Sequence, residues 1–431
     1  MGVAGLVLKR ARAGLGLLLT ILVLAAGTTA IIAGTLGYSD AAATTAARQA
    51  LTDAAPTEAG IRVQTRLAQD PQAQDAAAQR IIREAFAPTD VRVQRTIRSE
   101  PRAVADQTGR LVVMASPALN PGDPGFAERI EVVDGSWPKP SDGVVQGALH
   151  EGAAELWGVG VGDRLDVSGT PVDITALWRP SDPSEAFWFG DPLVETGTDA
   201  GTVGPLVVPE AATTSFGSTP FVQFTVQPDA DRILPVDMPR LAAVAGELDR
   251  TLKTPGVDVR GVTVEGDLAP TAAAASRNLA TARALNLVPV TLLLLVSLIA
   301  IVQIARLQAQ ARAGEVELLF ARGASRGQLL LWAVIEAVAV AVLAAALGTA
   351  TALGVMQLVP AGDLQGGIVV RTGILAGVAV LVALVVVAAL QVRSLAAQTA
   401  TDRSGRTRTV AALGTVVLTL GAAAIAWWQL N

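Results

Sequence analysis

The chain has 431 residues, 51% of them hydrophobic and 16% charged, with a net charge of −5 and a mean hydropathy of +0.46. Soluble domains carry about 25% charged residues, so the composition points to a membrane protein before any segment is read. With no cysteine and a single histidine, His150, the sequence excludes disulfides, thiolate metal sites, iron–sulfur clusters and HExxH zinc centres.

In chain order, a short N-terminus, 1–13, carries Lys9, Arg10 and Arg12. Residues 14–36 follow without a charge, long enough to cross a bilayer and long for a signal peptide. Residues 37–284 are mixed and polar, and predict a large external α+β domain. Ala-rich stretches at 39–54 and 269–284 predict helical stalks at its two ends. Within it, 60–67 reads as a strand, 71–87 as a helix with Pro71 at its start, and 90–97 as a strand. Residues 239–252 read as a helix and 257–264 as a strand. These β-α-β pieces frame a strand-rich middle, about 129–226, with frequent Gly and Pro. There, 144–146 is a strand, 150–157 a short helix, Val161-Gly162-Asp163 a turn, and 164–167 and 172–178 paired strands. His150 reads as a surface residue at a helix start rather than a pH sensor.

The second half is apolar. Spans are expected at 286–307, with Pro289 near its start, at 329–359, at 372–392 and at 410–430, the last ending near Trp427 and Trp428 as an interfacial anchor. The chain thus carries four spans plus a fifth. Between them lie a polar segment at 308–328, a turn at 360–371 and a linker at 393–409. Arginine sets the orientation: Lys9, Arg10 and Arg12, then Arg306, Arg312, Arg322 and Arg326, then Arg393, Arg403, Arg406 and Arg408 share one side, the cytoplasm. Gly373 and Gly377, four apart, fit small-residue helix packing.

Three places stand out as candidate sites. The polar segment contains Glu315, Glu317, Arg322 and Arg326, which are too costly for hydrocarbon and belong at a membrane face. Val316, Leu319 and Phe320 on it provide apolar knobs for helix-in-groove docking, and Glu315 and Arg322 provide charges that fix register. Glu336 falls inside the third apolar run, and an intramembrane carboxylate needs a partner, for which Arg306 is the expected residue. Phe187, Trp188 and Phe189 form the densest aromatic cluster, an external contact for an apolar partner if exposed and an ordinary buried strand if not. No GxxxxGK[ST] motif is present, so this chain has no P-loop for ATP. No basic block of the nucleic-acid type occurs either.

The order Glu315-Val316, Arg322-Gly323-Ala324-Ser325, then Glu336-Ala337 resembles the cytoplasmic coupling segment of FtsX-like permeases, the family that includes MacB. The 144–178 order of strand, helix, Val-Gly-Asp turn and two strands resembles the MacB-type periplasmic core. The resemblance covers the first span, parts of the external domain and spans two to four. It implies a permease subunit, or half of one, in the bacterial plasma membrane. It further implies a separate cytoplasmic ABC ATPase that binds the ATP, a second permease unit (same chain, homodimer or sister subunit), and mechanical transmission to the external domain. The fifth span departs from the four-span pattern and suits either the opening span of a second tandem unit or a C-terminal anchor. The alternative is a membrane-anchored sensor or scaffold without transport.

Overall fold

The computed structural model describes residues 15–358 and 366–398. The N-terminal 1–13, residues 360–365 of the turn, the 399–409 part of the linker and the fifth span at 410–430 lie outside the described residues. Two units are present, one of residues 1–45 and 280–431 and one of residues 46–279.

The chain enters through α1 (Leu15–Thr52) and α2 (Pro56–Ala59). Next come β1 (Ile61–Arg66), α3 (Pro71–Phe86), β2 (Val91–Arg98), β3 (Arg102–Ala103), β4 (Arg110–Ala115) and α4 (Phe126–Arg129). Then follow β5 (Ile130–Gly135), β6 (Val145–His150), α5 (Glu151–Trp157), β7 (Arg164–Val167), β8 (Thr170–Pro180) and α6 (Pro192–Thr196). The domain closes with β9 (Thr198–Asp199), β10 (Thr202–Val207), β11 (Phe221–Pro228), α7 (Met238–Leu252) and β12 (Thr263–Glu265). Four helices end the described chain: α8 (Leu268–Ala311), α9 (Ala313–Ala321), α10 (Arg326–Met356) and α11 (Gly366–Gln398). Each expected stalk is thus one helix with its span, and α8 runs unbroken through Pro289.

In the unit of residues 46–279, one sheet has the order β12-β1-β11-β2-β4-β10-β6-β8-β5. Its first four strands are antiparallel neighbours. With α3 between β1 and β2 and α7 between β11 and β12, they form a split β-α-β-β-α-β frame of the ferredoxin-like kind. The 99–220 stretch between β2 and β11 is an insertion that extends the same sheet. Strand β1 alternates strictly, with Ile61, Val63 and Thr65 buried. That is the period a half-buried strand requires. The helix α3 lays Ala78, Ile82 and Phe86 inward and is N-capped by Asp70, which accepts from Ala73 N–H at 3.0 Å. Central strands β4, β10 and β11 are buried nearly throughout; β4 and β10 read as largely apolar runs, whereas β11 also buries Gln223, Thr225 and Gln227.

The strand expected at 257–264 shortens to Thr263–Glu265. Positive φ at Gly256, Arg260 and Gly261 breaks the ladder. The loop is held by side chains: Gln74 donates to the Val257 carbonyl at 3.1 Å, and Thr65 Oγ1 accepts from Val259 N–H at 3.1 Å.

In the other unit, residues of α1, α8, α10 and α11 share a core of Ile21, Ala25, Ile301, Ala305, Ala341, Ala344, Val380 and Leu384. Each of these helices is long and apolar enough to cross a membrane. Small residues set the spacing, as packing between lipid-facing helices demands. A Cβ on Gly373 would meet Thr349 Oγ1 at 1.9 Å, and one on Gly377 would meet Ala345 Cβ at 2.8 Å. The Gly373–Gly377 pair is therefore the face on which α11 meets α10. The protein is a multi-span helical membrane protein carrying a large mixed α/β domain.

Candidate functional site: a helical corner and its ion pair

The polar segment 308–328 is almost entirely helical. The helix α8 continues to Ala311, Arg312 forms a one-residue joint, and α9 occupies Ala313–Ala321. At the joint the Arg312 N–H reaches back to the Gln308 and Ala309 carbonyls at 3.2 and 3.3 Å. The joint thus leaves no backbone donor idle.

The Arg322-Gly323-Ala324-Ser325 sequence makes the turn from α9 into α10. Ala324 N–H donates to the Leu319 carbonyl at 3.1 Å, and Gly323 has φ +93°. This is a Schellman stop with glycine at the left-handed position. Ser325 is the N-cap of the next helix. Its Oγ accepts from Gln328 N–H at 3.3 Å, while the Gln328 side chain accepts from Ser325 N–H at 3.1 Å. One helix end and one helix start are satisfied within four residues, which fixes the angle between α9 and α10 with no loop to absorb motion. Glu315, Val316, Glu317, Leu319 and Phe320 all ride on α9, and Arg326 opens α10. On α9, Leu318 is 63% exposed, an apolar side chain with no cover among the described residues.

A side-chain tie joins α10 to the joint. Glu336 Oε1 and Oε2 accept from Arg312 Nη1 at 2.7 and 2.8 Å, and Gln308 Nε2 donates to Oε1 at 3.2 Å. The expected partner Arg306 is not the one used. Arg312 lies six residues further on, at the joint itself, where its Nη1 alone reaches across to both carboxylate oxygens on α10. The side chains are 15% and 28% exposed, so the pair is partly shielded. Its depth follows from length. Ala337–Met356 rises about 30 Å at 1.5 Å per residue, enough to cross the hydrocarbon core. That length leaves room for Glu336 to stand at the edge of the core rather than in its middle. Trp332, one turn earlier, suits the same interfacial level.

The aromatic cluster has a different fate. Residues Ala186–Trp188 form a 3-10 turn, not a strand, and Phe189 follows with φ +55°. Phe187, Trp188 and Phe189 are all buried, at 8, 4 and 3% exposure. They offer no open external contact. Trp188 packs 5.9 Å from Trp178, Phe187 stands edge-on to Trp188 at 4.5 Å, and the Arg62 guanidinium lies over Phe189 at 4.5 Å. An apolar triplet in a polar loop was visible in the sequence, but not the distant Trp178 and Arg62 that cover it.

His150 is also buried, at 4% exposure, though it does stand at the helix start. Its Nδ1 accepts from Gly152 N–H at 3.1 Å, an imidazole acting as N-cap, and its ring is edge-on to Trp178 at 5.3 Å. Burial holds its pKa below the usual imidazole value. Among the described residues no group of His, Cys, Asp or Glu converges as metal ligands. No protein-family model matches the sequence, and no match is found among curated proteins.

Proposed function

We propose that the chain is a permease unit of an FtsX/MacB-type ABC transporter, with α9 as the contact for a separate ATPase. The observation that supports this most is the corner itself. A nine-residue helix is fixed to α10 by a Schellman stop and capping box, and its approach from α8 is tied to α10 by Arg312–Glu336. A push on α9 thus reaches two spans as a lever, not as a slack loop. In this reading Val316, Leu319 and Phe320 enter a groove on the ATPase, and Glu315 and Arg322 fix register. The stalk parts of α1 and α8 carry the motion to the α/β domain, which acts on a substrate outside the cytoplasm. Two ATPases close together in such a cycle, so the working complex holds two permease units.

The experiment pairs Glu315→Ala with Arg322→Ala and measures stimulation of the partner ATPase. Loss of stimulation with normal insertion supports the reading, and full stimulation rejects the contact. Orientation is tested separately. The chain has no cysteine, so single cysteines at the exposed positions Leu156 and Leu318 report topology. An impermeant thiol reagent on intact cells should mark position 156 and spare 318. Labelling at 318 would overturn the orientation.

A further inference from the structure

His150 occupies a junction of three elements. It ends β6, caps α5, and lies against the last turn of α6. The approach of α5 to α6 leaves no room for side chains. A Cβ on Gly152 would sit 2.3 Å from the Thr196 carbonyl oxygen, and one on Gly197 would sit 2.5 Å from His150 Nδ1 and 2.7 Å from Ala153 N. The imidazole is thus the keystone between the start of α5 and the end of α6. On its other side Trp178 separates it from Trp188, which belongs to the turn leading into α6.

The neutral ring fits this place and the charged ring does not. With Nδ1 accepting from Gly152 N–H, the neutral tautomer carries its proton on Nε2, which is buried and faces the Val194 carbonyl. A second proton would go to Nδ1. It would set N–H against N–H, abolish the cap, and place a cation among tryptophans. The charged groups on the surrounding elements are Glu151 and Glu155 on α5, Arg179 on β8, and Asp191 and Glu195 on α6. Asp191 is held by Arg98. Burial disfavours the cation most; the Val194 carbonyl and then the Glu151 carboxylate favour it, and burial outweighs both. Glu151 Oε1 lies 3.5 Å from Arg179, while its Oε2 is buried without a partner. That free oxygen gives an imidazolium somewhere to go once the first turn of α5 loosens.

We propose that His150 is an acid-operated latch: its protonation frees α6 and the turn before it. The latch stands independently of the permease reading. Its sign is fixed. The folded-state pKa lies below the ordinary 6.5, so closure is complete above pH 6.5 and weakens as pH falls through the folded value.

Hydrogen exchange of the full chain in nanodiscs tests this. Protection of peptides covering 186–197 is compared with that of peptides covering β6 at each pH, so that the intrinsic pH dependence of exchange cancels. The ratio should fall with a midpoint below pH 6.5 in the wild type. It should stay flat in His150→Asn, because Asn caps a helix without titrating, and shift to lower pH in Glu151→Gln. A flat wild-type ratio overturns the latch, as does an unchanged transition in His150→Asn. Should His150→Asn not fold, an unmoved midpoint in Glu151→Gln overturns it.

Discussion

The corner at α9–α10 and the aromatic cluster around Trp178 are both compact and named by few residues, yet they are held together in opposite ways. In the corner the backbone ties join residues within five positions of each other: Ala324 to Leu319, Ser325 to Gln328, Arg312 to Gln308. Only the ties to Glu336 reach further, 24 residues from Arg312 and 28 from Gln308. In the cluster, partners come from separate elements: Trp188 meets Trp178 on β8, Trp137 Nε1 donates to the Leu119 carbonyl, and Arg62 on β1 reaches the Trp188 carbonyl over 126 residues. Local ties give a rigid piece that moves as a unit. Long-range ties give a closed core whose loss is felt everywhere around it.

Truncating the cluster should therefore cost most. Trp178, fully buried, touches both Trp188 and His150. Trp178→Ala should destabilise the α/β domain by about 4 kcal/mol, the range for large aromatic truncations, read as a lowered unfolding midpoint by near-ultraviolet circular dichroism. An effect as small as a surface change would mean the cluster is not a core.

The ion pair comes next. Glu336→Ala strands Arg312 at the hydrocarbon boundary and should cost about 2 kcal/mol, below the range for fully buried pairs because both groups keep some exposure. The exchange Arg312→Glu with Glu336→Arg should recover much of this, whereas Arg306→Ala should not reproduce it. Equal losses for Arg306→Ala and Arg312→Ala would undo the assignment.

Smaller effects belong to the corner's local ties. Gly323→Ala and Ser325→Ala should each cost about 1 kcal/mol, but reduce ATPase stimulation more than stability explains. Glu315→Ala should change stability by no more than about 0.5 kcal/mol. A fall in stimulation without a fall in stability separates a lever from a mere turn.

The same distinction explains what the sequence disclosed. The frame's helices and strands were legible because period 3.6 and period 2 patterns and Pro or Asp starts are local signals, as at Pro71 and Ile61–Arg66. The Arg322–Ser325 turn was visible for the same reason. The partner of Glu336 was misassigned because Arg306 and Arg312 both lie near the membrane face. Only the extension of α8 to Ala311 brings Arg312 alongside α10. The burial of His150 is not a local signal, because it comes from Trp178 on another strand and helix or strand periodicity does not link the two. The 257–264 segment failed as a strand because Arg260 takes a left-handed conformation that its residue type does not announce.

The central claim is that this chain transmits the work of a separate ATPase. Purification of the full chain from native membranes, with mass spectrometry of its partners, tests it most directly. The account predicts a P-loop ATPase that co-purifies with the wild type and is depleted with the Glu315→Ala, Arg322→Ala double variant. Recovery without any nucleotide-binding partner, or with a histidine kinase instead, would contradict it.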